Sequence, residues 1–219
     1  MFIGHFAVGF AGKKIAPRAS LPALLLAACF ADVLWPVLVA VGAEQVVIEP
    51  GNTVVTPLRF VSYPWSHSLL MLIIWGGFLG AYFRKRSDGA RVGAVIGALV
   101  VSHWFLDWIT HAPDMPIYPG GAKYGMALWN NPTATMVVEI VMFVAGVALY
   151  ASATRAKDKI GRFGFWALAA FLLGFFILDS FDPTVPPSVR FIWISALIAT
   201  AILLLWAGWV DRHRSITEQ

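Results

Sequence analysis

The sequence predicts an all-α protein, a polytopic bundle of about six transmembrane helices, and three observations lead to this fold class. Of its 219 residues, 59% are hydrophobic and only 13% are charged, and the mean hydropathy is +0.74. The apolar residues form several runs that are long enough to cross a bilayer. The basic residues lie in short clusters between these runs, as in membrane proteins, and form no continuous stripe that would bind nucleic acid.

Residues 1–18 form an N-terminal segment that is distinct from the spans. Its apolar stretch, residues 1–12, is too short to cross a membrane. Lys13 and Lys14 follow this stretch, whereas a signal peptide carries its charges before the apolar part. We therefore expect a short interfacial or re-entrant helix here.

Six apolar segments are interpreted as the spans of one membrane domain that covers residues 1–219. They lie at about 20–42, 67–84, 91–111, 132–154, 163–180 and 189–210. Pro36 predicts a kink in the first of them, and Pro64 sets the start of the second. Between these two spans, residues 43–66 are rich in β-branched residues and could form a short hairpin. Residues 112–131 form a long loop that could cover a site.

The distribution of basic residues predicts the orientation. All but Arg59, Lys123 and Arg190 of the 16 Lys and Arg residues fall on one side of the predicted bundle. Positive charge marks the cytoplasmic side of membrane proteins. We therefore expect a protein integral to the cytoplasmic (inner) membrane, with both termini in the cytoplasm.

The third span carries an unusual set of polar residues. On a helix, His103, Asp107 and His111 fall on one face, and Thr110 lies on the same side. An Asp in the hydrocarbon costs about 2.5–3.5 kcal/mol on insertion scales, so such residues turn inward towards a partner. Three of them in successive turns favour a metal or proton site over ordinary helix packing.

Other ionisable residues are predicted at similar depth in the outer half of the bilayer. Asp32 lies in the middle of the first span, Glu139 lies in the fourth, and His67 opens the second. Mixed imidazole and carboxylate ligands suit zinc first, with manganese or iron as alternatives, and their number would hold one or two ions. His5 would join only if residues 1–12 re-enter the membrane.

These residues occur in short motifs in a fixed order: Gly4-His5, Asp32, Ser66-His67-Ser68, Ser102-His103 with Asp107 and Thr110, and Glu139. This order resembles the YdjM-like family, LexA-regulated inner-membrane proteins described as metal-dependent hydrolases, over roughly residues 1–140. Two features depart from the family pattern. The second acid of its Asp-x-Asp motif is missing after Asp32, and no basic residue precedes Ser66-His67-Ser68. His111 could replace a lost ligand.

The leading hypothesis is a membrane-bound hydrolase in which metal-activated water attacks an ester or phosphoester, with a lipid-borne substrate suited to the depth of the site. The assignments are His103, Asp107, Asp32, His67 and His5 as metal ligands; Glu139 and Asp107 as catalytic carboxylates; and His111, Thr110, Ser68 and Ser102 around the ligands or against the substrate.

Two other classes of function remain open. A metal-ion or proton transporter would use the same cluster as a transient site. A structural membrane protein would use it only to hold helices together. Membrane lipids are the expected partners in each case, nucleic acid is not expected, and the oligomeric state stays open.

Overall fold

Helices dominate the computed structural model, which describes residues 1–86, 89–182 and 184–217. The helices are α1 Ile3–Ile15, α2 Leu21–Ala28, α3 Phe30–Ala40, α4 Pro64–His67, α5 Leu69–Arg86, α6 Ala90–Thr110, α7 Pro132–Ala153, α8 Phe165–Phe181 and α9 Val189–Arg212. The strands are β1 Gln45–Ile48, β2 Leu58–Ser62, β3 Met115–Pro116, β4 Lys123–Tyr124, β5 Thr154–Ala156 and β6 Arg214–Ile216. They form three antiparallel pairs, β1–β2, β3–β4 and β5–β6. The hairpin predicted between the first two spans is thus present.

Within the described ranges, four helices are long and apolar enough to cross a membrane: α6, α7, α8 together with the π-helical turn Ile160–Gly164 that precedes it, and α9. The bent pair α2–α3 gives a fifth if it counts as one span. The prediction of a helical membrane protein is confirmed. The α5 helix has only 18 residues and ends in Arg84, Lys85 and Arg86. The count of six spans therefore stays a prediction.

The first predicted span is broken at Cys29. The axes of α2 and α3 differ in direction by 61°, whereas Pro36, where the sequence predicts a kink, lies inside α3. The carbonyl of Ala28, at the break, accepts a hydrogen bond of 2.9 Å from the His103 ring. The break thus supplies a backbone acceptor to a side chain of α6.

The N-terminal helix α1 lies inside the bundle. Ile3 and Phe10 are fully buried, and Gly146 of α7 lies so close to the backbone of Ala7 that a Cβ at Gly146 would overlap it. The Glu139 carboxylate fixes the start of α1, because its Oε2 accepts the backbone N–H groups of Phe2 (2.8 Å) and Gly4 (3.1 Å). The burial shows that α1 packs among the other helices, and its interfacial or re-entrant placement stays a prediction.

The second predicted span begins later than residue 67. Pro64–His67 form the short helix α4, Ser68 is extended, and α5 starts at Leu69. The α5 helix packs tightly on α6, with Gly76 and Gly80 against the backbone of Gly93 and Gly97. Small residues allow such close approach between membrane helices. His67, at the end of α4, is thereby held near the face of α6 that carries His103.

Candidate metal centre

Five of the predicted ligand residues converge from four helices. His5 comes from α1, Asp32 from α3, His67 from α4, and His103 and Asp107 from α6. Two groups of three have ligand atoms within 4.8 Å of one another: His5, His103 and Asp107; and Asp32, His67 and His103. Of the residues predicted at similar depth, Asp32, His67, His103 and Asp107 lie together, and His5 joins them, whereas Glu139 is in neither group.

Asp107 lies at the centre of this cluster and is 1% exposed. Its Oδ1 is 2.9 Å from Nε2 of His5 and also contacts the Met1 amine. Its Oδ2 is 3.0 Å from Nε2 of His103 and 3.7 Å from Nε2 of His67. The two oxygens of one carboxylate therefore face different imidazoles, the arrangement by which a carboxylate can serve one ion or bridge two.

The His103 ring is oriented as a metal ligand. Its Nδ1–H donates to the Ala28 carbonyl, so the lone pair lies on Nε2. Nε2 is fully buried and makes no hydrogen bond in the described chain, although Asp107 Oδ2 lies 3.0 Å away and Asp32 Oδ1 lies 3.6 Å away. A lone pair that faces two carboxylates is repelled unless a cation or a proton lies between them. The buried Nε2 of His103 is therefore a position where a cation or a proton would be stabilised.

His67 is oriented by a chain of two further side chains. Ser66 donates its hydroxyl to Oε2 of Glu44 (2.6 Å), and Nδ1 of His67 lies 2.7 Å from the same Ser66 oxygen. The Ser66 proton is engaged by Glu44, so the ring must donate its Nδ1–H to Ser66. The Nε2 lone pair of His67 then points to Asp32 Oδ1, 3.6 Å away. Glu44 is 2% exposed.

His111 lies at the edge of the cluster, just past the end of α6. Its Nε2 is 3.9 Å from Asp107 Oδ2, and its Nδ1 is 3.2 Å from Asp114 Oδ1, which also accepts the Tyr63 hydroxyl at 2.7 Å. Burial lowers the pKa of His111, and its hydrogen bond to Asp114 opposes that effect. Burial and Asp114 raise the pKa of Tyr63 well above its usual range.

Other predicted site residues contact the cluster less directly. Glu139 is completely buried, but one of its oxygens caps α1 and the other, Oε1, has no hydrogen-bond partner in the described chain. The hydroxyls of Thr110 and Ser102 donate to carbonyls of their own helix, and Ser68 accepts from the backbone at the start of α5. These contacts hold backbone rather than a ligand, so the roles assigned to the four residues stay predictions.

Sequence reasoning missed two residues of the site, Glu44 and Asp114. Glu44 precedes β1, more than 20 residues before His67, and its link to that ring depends on how α4 folds back. Asp114 stands in a Pro-rich loop, where only its spacing of three residues from His111 could have suggested a contact.

A cavity of about 90 Å³ opens beside the cluster and has room for a few water molecules. Asp32, whose side chain is half exposed, lies on its wall with His67, Asp107 and His111. Aromatic and apolar residues form the remainder of the wall: Trp35, Leu58, Phe60 and Trp129, together with Met1. The Trp129 ring lies 4.3 Å from the His111 ring, centroid to centroid.

The donor set fits a divalent transition metal. Zinc binds imidazole and carboxylate at about 2.0–2.2 Å, which puts neighbouring ligand atoms of a tetrahedron about 3.3 Å apart. The separations around Asp107 and His103, from 2.9 to 3.7 Å, bracket that value. Because Nδ1 of His103 is engaged by Ala28, its Nε2 can serve only one ion. The cluster could hold a metal ion, and the prediction of one or two ions stays open.

Comparison with known proteins identifies the family. No curated protein and no solved structure matches the chain. A family model described as YdjM inner membrane protein matches residues 1–209, nearly the whole chain, and extends well beyond the motifs in residues 1–140 that suggested the resemblance. The chain belongs to the YdjM inner membrane protein family.

Proposed function

We propose that this protein is a membrane-bound, metal-dependent hydrolase that cleaves an ester or phosphoester. The observation that carries the proposal is the His103 ring, whose tautomer is set by Ala28 and whose buried Nε2 faces Asp107 and Asp32 without a partner. A catalytic site requires such preset ligands beside a space that water can enter, and the cavity at Asp32 provides that space.

Each residue of the cluster has a proposed role. His103, His67, Asp107 and His5 would hold a divalent ion, with zinc as the first choice, and Asp32 would complete the site at the cavity wall. An ion bound there supplies Lewis acidity and makes water a nucleophile near neutral pH. Glu139, through the Oε1 that has no partner, is the proposed proton acceptor.

The size of the cavity limits how much of a substrate can enter the site. A space of about 90 Å³ admits water and the reacting group but not a whole lipid. The rest of the substrate would lie outside, against the apolar rim formed by Trp35, Phe60 and Trp129. A lipid-borne ester or phosphoester meets both conditions. It would reach the site in the outer half of the bilayer, in a six-span bundle with cytoplasmic termini.

A transporter would need a polar path from this cluster to the other side. His5 and Lys13 mark the two ends of α1, about 12 Å apart by helix rise. The buried residues between them, Ala7, Gly9, Phe10 and Gly12, are apolar. Phe10 packs against the rings of Phe143, Tyr150 and Phe165. These buried apolar residues would hinder the passage of an ion along α1. They favour a catalytic site over a transport path.

The proposal is tested by assaying purified protein in detergent with zinc or manganese against phospholipids and small chromogenic esters and phosphoesters. We expect metal-dependent turnover that is lost in His103→Ala and Asp107→Ala and strongly reduced in Glu139→Gln. His213, which is partly exposed and lies outside the cluster, provides a control variant, His213→Ala, which should retain activity. Unchanged metal content and activity in both His103→Ala and Asp107→Ala would refute the proposal.

A further inference from the structure

A second pocket, of about 270 Å³, lies at the end of α1 that is remote from His5. Three parts of the chain surround it: the end of α1 with the linker to α2, the start of β5, and the end of α9 with β6. Its lining consists of Lys13, Pro17, Arg18, Ser20, Thr154, Asp211, Arg214, Ser215 and Ile216. It thus carries three basic side chains and one acidic side chain.

The single carboxylate of this pocket is already engaged. Lys13, only 6% exposed, donates to Oδ1 of Asp211 (3.2 Å) and to the Ala19 carbonyl (2.7 Å). The other oxygen of Asp211 accepts the backbone N–H of Leu21 at the start of α2 (3.0 Å). The negative charge of Asp211 therefore offsets Lys13 and the positive end of α2. It does not also offset the positive charges of Arg18 and Arg214.

Hydrogen bonds to neighbouring groups hold Arg214 in place, and no acidic side chain pairs with it among the described residues. Its guanidinium donates to the Thr154 hydroxyl (2.9 Å) and the Gly161 carbonyl (2.7 Å), and it lies 4.7 Å from the centroid of the Phe165 ring. Arg18 is exposed at the rim of the pocket. In the described ranges, no carboxylate lies within salt-bridge distance of Arg18 or Arg214. The pocket therefore has an excess of positive charge, and the guanidinium of Arg214 is already held in place before a ligand binds.

We propose that this pocket binds a phosphate-bearing anion, supplied either by a lipid headgroup or by free phosphate. Arg side chains match the geometry of phosphate oxygens. The hydroxyl of Ser20, which makes no capping bond to α2, adds a donor at the rim. The binding site is separate from the metal centre and does not depend on the proposed hydrolysis.

The test measures binding of two probes to the full-length protein in detergent. Inorganic phosphate is titrated at constant ionic strength with the unfolding temperature as the readout. Retention of phosphatidylglycerol, with phosphatidylcholine as the comparison, is measured by native mass spectrometry. Arg18→Gln removes a charge from the rim without breaking an internal bond. Arg155→Gln, on the exposed strand β5 but outside the pocket, is the matched control.

We expect at least one probe to bind, with about fivefold weaker binding in Arg18→Gln and unchanged binding in Arg155→Gln, since one basic group near an anionic surface accounts for about that factor. Binding of phosphatidylglycerol alone would identify a headgroup, and binding of phosphate alone would identify a free anion. Failure of both probes to bind, or equal weakening in the two variants, would overturn the proposal.

Discussion

Replacing Glu44 by Gln exchanges one oxygen for an amide nitrogen in a buried side chain and tests how the His67 ring is oriented. In the native chain, Ser66 donates to Oε2 of Glu44, and the ring of His67 donates its Nδ1–H to Ser66. A Gln amide can donate to Ser66 instead, which turns the Ser66 proton towards Nδ1. The His67 proton then moves to Nε2, and the lone pair no longer faces Asp32 and Asp107.

The size of this effect is estimated from residues that orient metal-binding His side chains in other proteins. Mutation of a residue that orients a metal-binding His costs about 10–100-fold in metal affinity, or about 1.4–2.7 kcal/mol. The fold should survive, because the remaining amide oxygen of Gln can still accept the backbone N–H groups of Trp65 and Ser66 that Glu44 Oε1 accepts at 2.8 and 2.9 Å.

The assay is competition for zinc between the purified protein and a chromogenic chelator, with thermal unfolding as the check on folding. Glu49→Gln is the matched control, because Glu49 lies in the same loop region and pairs with Arg59 at the surface, where both side chains are half exposed. Zinc affinity that is the same in wild type, Glu44→Gln and Glu49→Gln would refute the orienting role of Glu44.

Three further predictions concern stability. Glu139→Leu should lower the free energy of unfolding by about 1–3 kcal/mol, because the N–H groups at the start of α1 lose their acceptor, whereas Glu139→Gln should unfold nearly as wild type; thermal unfolding in detergent measures both. Gly146→Ala should lower the free energy of unfolding by about 1–3 kcal/mol, because its Cβ would overlap the backbone of Ala7. Gly77→Ala, with open space around its Cβ, should not lower it measurably. Zinc at 100 times its Kd should raise Tm of wild type by about 5–10 °C, and an equal rise in His103→Ala would contradict the assignment of that ligand.

Much of the helical architecture could be predicted from the sequence because length and hydropathy determine it. The spans predicted at 91–111, 132–154 and 189–210 agree with α6, α7 and α9 to within two residues. The break at Cys29 could not be predicted, because no proline or glycine marks it in the sequence, and the contact of Ala28 with His103 joins residues far apart in the chain. A proline is the usual sequence signal for a kink, and Pro36 lies seven residues after this break, inside α3.

The sequence could indicate which residues form the candidate His/Asp cluster, but not how they are arranged. Helical spacing relates His103 to Asp107, and comparison of depths adds Asp32 and His67. The position of His5 depends on where α1 enters the bundle, which the close contact between Ala7 and Gly146 decides. Residues that orient the ligands through side-chain relays lie far apart in the chain and have no periodicity that could reveal them.

The metal content of the purified protein tests the central claim most directly. Wild type, prepared in detergent without chelator and incubated with zinc, manganese or iron, should carry about one or two ions per chain by mass spectrometry. His103→Ala and Asp107→Asn should lose them, while His213→Ala, with its ring on the surface, should keep them. Folded wild type that holds no metal after this incubation, or variants that keep the full content, would contradict the account.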